Sequence, residues 1–235
     1  MDVKPHVRIF ATTEPVGPAA FAALKSGGQV VTWGDASCGG DSGKVREGLM
    51  HDVADIASSN QAFAAVKVSG SVVAWGSTGF GGSTLAVKAK VASGVRRVFS
   101  SSQAFAALKN DGSVVAWGKP RFGGKVRGDL SGHVVHICST DGAFCALKAD
   151  GSAAAWGSEG FGGSDASVKE QLSCGVHKVF ANYAAFVALK VDGSLVAWGD
   201  ALYGASLRPV QDQVSGGVQH VFSTDRAFAA LKLDG

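Results

Sequence analysis

The sequence has little of what membrane-spanning or secreted proteins need. None of its apolar runs approaches the about 18 residues of a membrane-spanning helix. Its first stretch, MDVKPHVRIFATTEP, lacks the basic start and the apolar run of a signal peptide. Charged residues are few, at 17%, but 46% of the residues are hydrophobic, so disorder is not expected. These features predict an intracellular protein, cytoplasmic or nuclear, with no membrane partner.

Cysteine is scarce, and its spacing excludes the common zinc sites. The four cysteines form neither a C-x-x-C pair nor a finger-like pattern with histidine, so no metal is expected. Cys38, Cys138 and Cys145 stand where the repeat described below has Phe, Tyr or Ala. We therefore interpret the cysteines, Cys174 included, as small buried hydrophobic residues. Cys138 and Cys145 fall on adjacent predicted strands, but a disulfide is not expected in a reducing compartment.

No coherent catalytic or phosphate-binding set stands out. The string GDSGK at residues 40–44 is similar to a serine-protease motif, but Lys44 replaces the glycine that should follow. It also falls short of a phosphate-binding loop, because Val45 stands where Ser or Thr is required. No pair of carboxylates suggests acid–base chemistry. The sequence therefore predicts no catalytic residue and no cofactor, and we interpret the protein as not an enzyme.

Two histidines, His136 and His220, occupy one position of the repeat. Other units place Asp55, Arg97 or Lys178 there. A position that accepts either charge or an imidazole is typical of an exposed strand rather than of a metal site or a general base. The formal net charge is +3 and the basic residues are scattered, so nucleic acid or chromatin is only weakly supported as a partner.

One pattern is repeated along almost the whole chain. Trp-Gly pairs recur at Trp33, Trp75, Trp117, Trp156 and Trp198, with spacings of 42, 42, 39 and 42 residues. A fixed period in this range predicts stacked or radially arranged units. Counted from one turn glycine to the next, they form a single repeat domain, 1–235: a half unit, 1–28, and then 29–70, 71–112, 113–151, 152–193 and 194–235.

Each unit contains three runs typical of β-strands, such as SVVAW, GVRRVFS and AFAALK. Asp-Gly or a similar pair separates AFAALK from the next SVVAW, which predicts antiparallel neighbours joined by a tight turn. Apolar residues occupy both parities of these two runs, as in strands covered on both faces. The Gly-rich segment that follows, such as STGFGGSTLAVKAKVAS, is predicted to be an exposed connector with a short outer strand or a helical turn. Binding is often located on such connectors.

The order of these runs resembles that of a known family. VVAWG, then GFGG or LYGA, then GVxxVFS and AFAALKxDG, is similar to the repeat of the regulator of chromosome condensation (RCC1-like) family, over residues 7–235. The resemblance implies a β-propeller. Members of the family serve as guanine-nucleotide exchange factors, as partner-binding domains of HECT-type ubiquitin ligases, and as a plant UV-B photoreceptor. The photoreceptor's Gly-Trp-Arg-His-Thr element is absent here, so photoreception is not expected.

The last unit stops within a blade. If a blade runs from GVxxV through AFAALK to SVVAWG, the chain holds five blades and a final half, residues 217–235. We therefore predict an all-β propeller of about 42-residue repeats that is incomplete or open. An unfinished blade exposes strand edges. This indicates either a fragment of a longer protein or an arc that self-associates through its open edge.

A lysine ends the AFAALK run, or its equivalent, in each unit: Lys25, Lys67, Lys109, Lys148, Lys190 and Lys232. In a propeller these residues, which we call the lysine row, would form a ring on one face and could attract an acidic protein surface or phosphates. Alternatively, the aspartates of the adjacent turns neutralise them.

Our interpretation of the whole sequence is a non-enzymatic scaffold that presents loops for protein–protein interaction. The alternative is a fragment of an exchange factor or of a HECT-type ligase whose active part lies outside this chain.

Overall fold

The fold consists of short antiparallel sheets that follow one another along the chain. The computed structural model describes residues 7–12 and 17–234. Five of its sheets have three strands, and the sixth has two described strands. The prediction of an all-β fold with five blades and a final half is confirmed. Each sheet is one blade, numbered 1 to 6 in chain order.

Within each blade the strands are neighbours in chain order. The first strands come from the GVxxV runs and are β1 Arg8–Ala11, β4 Val53–Ser58, β7 Val95–Ser100, β10 Val134–Ser139, β13 Val176–Ala181 and β16 Val218–Ser223. The second strands are β2 Ala20–Leu24, β5 Ala62–Lys67, β8 Ala104–Lys109, β11 Ala143–Lys148, β14 Ala185–Lys190 and β17 Phe228–Lys232. The third strands are β3 Val30–Gly34, β6 Val72–Gly76, β9 Val114–Gly118, β12 Ala153–Gly157 and β15 Leu195–Gly199.

The blades straddle the units defined from the sequence. The unit 71–112, for example, supplies the third strand of blade 2 and the first two strands of blade 3. The half unit 1–28 lies partly outside the described residues, and its described part provides β1 and β2 of a three-stranded blade. The division of the chain into units stays a prediction, whereas the blades are the physical sheets.

The turn between the second and third strands is the predicted tight hairpin. Leu108 pairs with Val114, and Phe105 pairs with Trp117, in antiparallel register. Gly112 closes the turn at φ 77°. A Cβ at this glycine would lie 2.7 Å from the backbone nitrogen of His133 in the next blade. Only glycine therefore satisfies both the backbone conformation and the close approach.

The second strands form the core of the inner blades. Every residue of β8 except Lys109 is buried, and β5 and β14 show the same pattern. These strands lie between two others in their own sheet and between two neighbouring blades, which confirms the prediction of strands covered on both faces for the second strands. The third strands, such as β6 and β9, are only partly buried. In blade 6, β17 is largely exposed.

The blades are arranged radially. The first strands of consecutive blades contact one another, whereas the third strands contact connector turns. The first strands therefore lie at the inner radius of the arc and the third strands at its outer radius, as in a propeller. The described strands of blades 6 and 1 do not pack against each other in this way, so the arc is open.

Hydrogen bonds that recur from blade to blade join neighbouring blades. The indole Nε1 of a third-strand Trp donates to the carbonyl of a connector glycine from the preceding blade, at 2.9–3.1 Å: Trp75 to Gly39, Trp117 to Gly81, Trp156 to Gly123 and Trp198 to Gly162. At the other end of the sheet, the Val95 amide donates to the carbonyl of Gly70 at 2.9 Å. At the inner turns, the Ser102 amide donates to the carbonyl of Asp141 at 2.8 Å. The arc is thus held as one interlocked body.

The connectors contain short 3-10 turns rather than a fourth strand. The turn after each third strand is Ala36–Cys38, Thr78–Phe80, Pro120–Phe122, Glu159–Phe161 or Ala201–Tyr203. The others are Gly43–Leu49, Leu85–Val87 and Arg208–Val210. Of the two forms predicted for AVKAKV, the structure has the helical turn, and no described connector forms a strand. The polar connectors also contribute buried apolar residues, which the sequence analysis missed: Val91, Leu130, Leu172 and Val214.

Candidate interaction surface

The strings that resembled catalytic motifs are ordinary structural elements. In GDSGK, the Asp41 carboxylate accepts a 2.7 Å hydrogen bond from the Gly43 amide and so shapes the start of the turn Gly43–Leu49. Among the described residues, no group of three or more His, Cys, Asp or Glu is placed to hold a metal ion. Within the same residues, no helix is both long and apolar enough to cross a membrane.

The cysteines occupy three kinds of environment. Cys38 and Cys145 are buried, and Cys138 is partly buried. Cys138 and Cys145 are cross-strand partners, as adjacent strands predicted, and both thiols are free. Burial raises the pKa of Cys138 to about 11. The prediction of burial is wrong for Cys174, which is exposed because it lies in the turn that leads into β13 rather than on a strand.

The lysine row lies at equivalent positions at one end of the blades. Lys109, for example, pairs in register with Val95, the first residue of β7. Among the described residues, no turn aspartate forms an ion pair with its lysine. Asp111 instead accepts hydrogen bonds from the amide and hydroxyl of Ser113, which, with a smaller effect of Lys109, lower the pKa of Asp111. The lysine row as an interaction face stays a prediction.

A row of aromatic side chains crosses blades 4 to 6 at the opposite end of the blades. The ring centroids of Phe161 and Tyr183 lie 5.6 Å apart, and those of Tyr183 and Tyr203 lie 5.3 Å apart. The Arg226 guanidinium lies 5.8 Å from the Tyr203 ring. Tyr183 is 46% exposed, and Leu202 in the neighbouring turn is 83% exposed. We call these five residues the aromatic rim. The sequence did not predict this surface, because its members come from two different segments of the repeat.

A third set of side chains lies on the first strands, at the inner radius. It occupies the position facing the last apolar residue of the second strand, as Arg97 faces Leu108, and we call it the inner row: Arg8, Asp55, Arg97, His136, Lys178 and His220. Arg97, His136 and Lys178 are exposed. The prediction of an exposed strand position is therefore confirmed for them, whereas His220 and Asp55 are only partly exposed. Arg8 is a member that the sequence analysis missed, although RIFA of β1 aligns with RVFS of β7.

The fold and these surfaces define an open β-propeller of three-stranded blades. Solved structures of similar fold include the ectodomain of the Physcomitrella patens receptor kinase CR4, with a TM-score of 0.58 and 14% identity over 98% of this chain and 62% of that one. Prp20p from Saccharomyces cerevisiae has a TM-score of 0.54 and 18% identity over 92% of this chain and 64% of that one. Human WBSCR16 has a TM-score of 0.53 and 14% identity over 97% of this chain and 68% of that one. No protein-family model and no curated protein matches the sequence.

Prp20p is yeast RCC1, so the chain has the fold of the RCC1-like propellers. At these identities the likeness concerns the fold alone. The chain spans only 62% of the CR4 ectodomain and 64% of Prp20p. What those proteins bind is therefore a property of those proteins.

Proposed function

We propose that this chain is a non-enzymatic propeller that binds a protein partner through exposed loops. The observation that carries the proposal is that the contacts between blades are constant while the sequences of the connector turns vary. The same hydrogen bonds recur between blades, while the connector turns read ASC, TGF, PRF, EGF and ALY. Rigid repeats with variable loops are suited to recognition.

Proteins of the same fold that bind other proteins support the proposal of a protein partner. The Prp20p structure is described with that protein's binding to Gsp1p and histones, and another structure has yeast RCC1 bound by Kap60. The aromatic rim is a candidate binding surface of this chain, since exposed aromatic and arginine side chains are enriched where proteins bind each other. Nucleic acid or chromatin is the less supported partner, because the formal net charge of the chain is only +3.

Affinity capture with matched variants tests this proposal. Tyr183→Ser with Leu202→Ser removes exposed apolar contacts from the aromatic rim and its turn. Val68→Ser with Val191→Ser is the control, because these residues are 77% and 76% exposed in turns at the opposite end of the blades. We expect the wild-type chain and the control to capture the same protein and the rim variant to lose it. Equal capture by all three, or no specific partner at physiological salt, would contradict the proposal.

An exchange-factor role is the second candidate, and the likeness to Prp20p is what favours it. Release of a fluorescent guanine nucleotide from a small GTPase such as Gsp1p tests it directly. Acceleration by this chain would replace the scaffold proposal, whereas an unchanged rate supports it. The HECT-type ligase alternative rests on the repeat resemblance alone, and its catalytic part would lie outside this chain.

Self-association through blade 6 is a further proposal. The outer edge of β17 pairs with no described strand, and most of its residues are exposed. Light scattering over a concentration series should show a mass that rises above 23.8 kDa, whereas a constant monomer mass would contradict it. An intracellular location also stays a proposal, since an ectodomain shares this fold.

A further inference from the structure

The inner row carries unbalanced positive charges in blades 3 and 5, with an imidazole in each of blades 4 and 6. In blades 1 and 2, Arg8 and Asp55 neutralise each other through a 2.8 Å ion pair. The other four members are Arg97, His136, Lys178 and His220, and no described carboxylate forms an ion pair with any of them. Burial and then the charges of Arg97, Lys178 and Arg96 lower the pKa of His136, so its electrostatic surroundings are cationic.

Phenyl rings separate the cationic groups of this row. The Arg97 guanidinium lies 5.1 Å from the Phe99 ring centroid, and the ring of His136 in the next blade meets the same phenyl edge-on at 5.7 Å. The Lys178 ammonium lies 4.8 Å from the ring of Phe180, which His220 meets at 5.6 Å. The arrangement therefore repeats as cation, ring and imidazole across two pairs of blades.

We propose that the inner row of blades 3 to 6 binds an extended acidic segment of the protein partner. This inference rests on the proposed protein-binding function and names one surface and the chemistry that it recognises. Carboxylates of the segment accept hydrogen bonds from the guanidinium of Arg97, the ammonium of Lys178 and the imidazole N–H groups. Hydrogen bonds between ionised groups are the stronger kind, and they fix the register of the segment.

The spacing of the row fits an extended peptide. Arg97 and His136 contact the same phenyl ring, at 5.1 and 5.7 Å from its centroid, so the guanidinium carbon and the imidazole centroid lie at most about 11 Å apart. An extended chain rises about 3.3 Å per residue, so acidic residues two or three positions apart are about 7–10 Å apart. Acidic residues with such spacing can reach successive members of the row.

The state of the aromatic rings favours a peptide over single-stranded nucleic acid. Proteins that bind single strands offer free ring faces on which bases stack. Here Arg97 lies over the Phe99 ring, and His136 meets that ring in a T-shaped arrangement at an interplanar angle of 87°. Lys178 and His220 occupy Phe180 in the same way, at 83°. Phe99 and Phe180 thus each already contact a cation and an imidazole, whereas Phe222 of blade 6, among the described rings and cations, contacts His220 alone at 4.5 Å and is 57% exposed. The row therefore offers little stacking surface beyond Phe222.

Fluorescence anisotropy with simple probes tests this inference. The probes are a fluorescein-labelled peptide of alternating Glu and Thr, its counterpart with Gln for Glu, and labelled oligothymidine. The variant is Arg97→Glu with Lys178→Glu, and Arg97→Gln with Lys178→Gln is a milder form should the first fail to fold. The control is Lys88→Glu with Lys169→Glu, which makes the same change in net charge on exposed connector residues.

We expect the wild-type chain to bind the Glu peptide and not the Gln peptide. The inner-row reversal should weaken binding about tenfold or more, the Gln variant should weaken it less, and the connector control less than about twofold, as distance and screening imply. Equal losses in both reversals, tighter binding of oligothymidine, or no binding of the Glu peptide would overturn the inference. If a partner is still captured while the Glu peptide is not bound, the inner-row inference fails and the proposed function stands.

Discussion

Replacing Trp117 by Phe tests whether the tryptophan bonds between blades hold the arc together. The Trp117 side chain is 3% exposed, stacks on Phe105 with 5.4 Å between ring centroids, and donates to the buried carbonyl of Gly81 at 2.9 Å. Trp33 is a natural control. It stacks on Phe21 at 5.5 Å, but it is 44% exposed and no described residue accepts a hydrogen bond from its indole.

The expected magnitude follows from these contacts. Trp117→Phe leaves the Gly81 carbonyl without its donor, which costs about 1–3 kcal/mol for a buried group. The missing ring atoms leave a cavity that costs about 1 kcal/mol more. The free energy of unfolding should therefore fall by about 2–4 kcal/mol. Trp33→Phe loses only partly exposed area and should cost less than about 1 kcal/mol.

Urea unfolding followed by circular dichroism measures both variants. Because repeat domains open locally, amide hydrogen exchange should show faster opening of β8 in Trp117→Phe and little change there in Trp33→Phe. Equal destabilisation by the two substitutions would refute the reasoning, since it would mean that ring stacking alone, and not the bond to the preceding blade, stabilises the junction.

Three further predictions concern single side chains. His133 holds φ 65° where blades 3, 5 and 6 have glycine, so His133→Gly should raise the unfolding free energy by about 1 kcal/mol in urea titrations, and a loss would contradict this. In native protein at neutral pH, a maleimide should label Cys174 rapidly and leave Cys138 unlabelled until the protein unfolds. The reason is that Cys174 is exposed, whereas burial raises the pKa of Cys138 to about 11. Equal labelling rates for the two thiols would contradict this. Arg97→Gln should raise the pKa of His136 in an NMR titration, because it removes a positive charge near the imidazole. Because folding lowers the pKa of His136, the contribution of this residue to the free energy of unfolding should fall as the pH drops below about 6.5.

Much of the fold could be predicted because each repeat states its own strands and turns. AFAALK, a turn glycine and SVVAWG specify a hairpin locally, and repetition then specifies stacked sheets. The bonds between blades could not be predicted in the same way. Trp117 donates to a backbone carbonyl 36 positions earlier in the chain, and every residue type carries such a carbonyl. Only the packed structure shows which glycine is reached.

The candidate site was harder to predict because the surface rows combine distant segments. The sequence placed His136 and His220 at one repeat position but could not show which strand positions face the inner radius. A β-bulge between Val95 and Arg97, repeated in blades 2 to 6, decides this. Nor could the sequence show that Asp55 is neutralised by Arg8 of the preceding blade. The charge that remains on the later blades follows from that pair.

The recurring hydrogen bonds between blades make this chain an open, rigid propeller arc. Small-angle X-ray scattering of the chromatographically separated monomer measures this shape in solution. We expect a scattering profile that matches the open arc, with blades 1 and 6 apart, and that does not change with salt. A profile that matches a closed ring, or the broad distance distribution of a flexible chain, would contradict it.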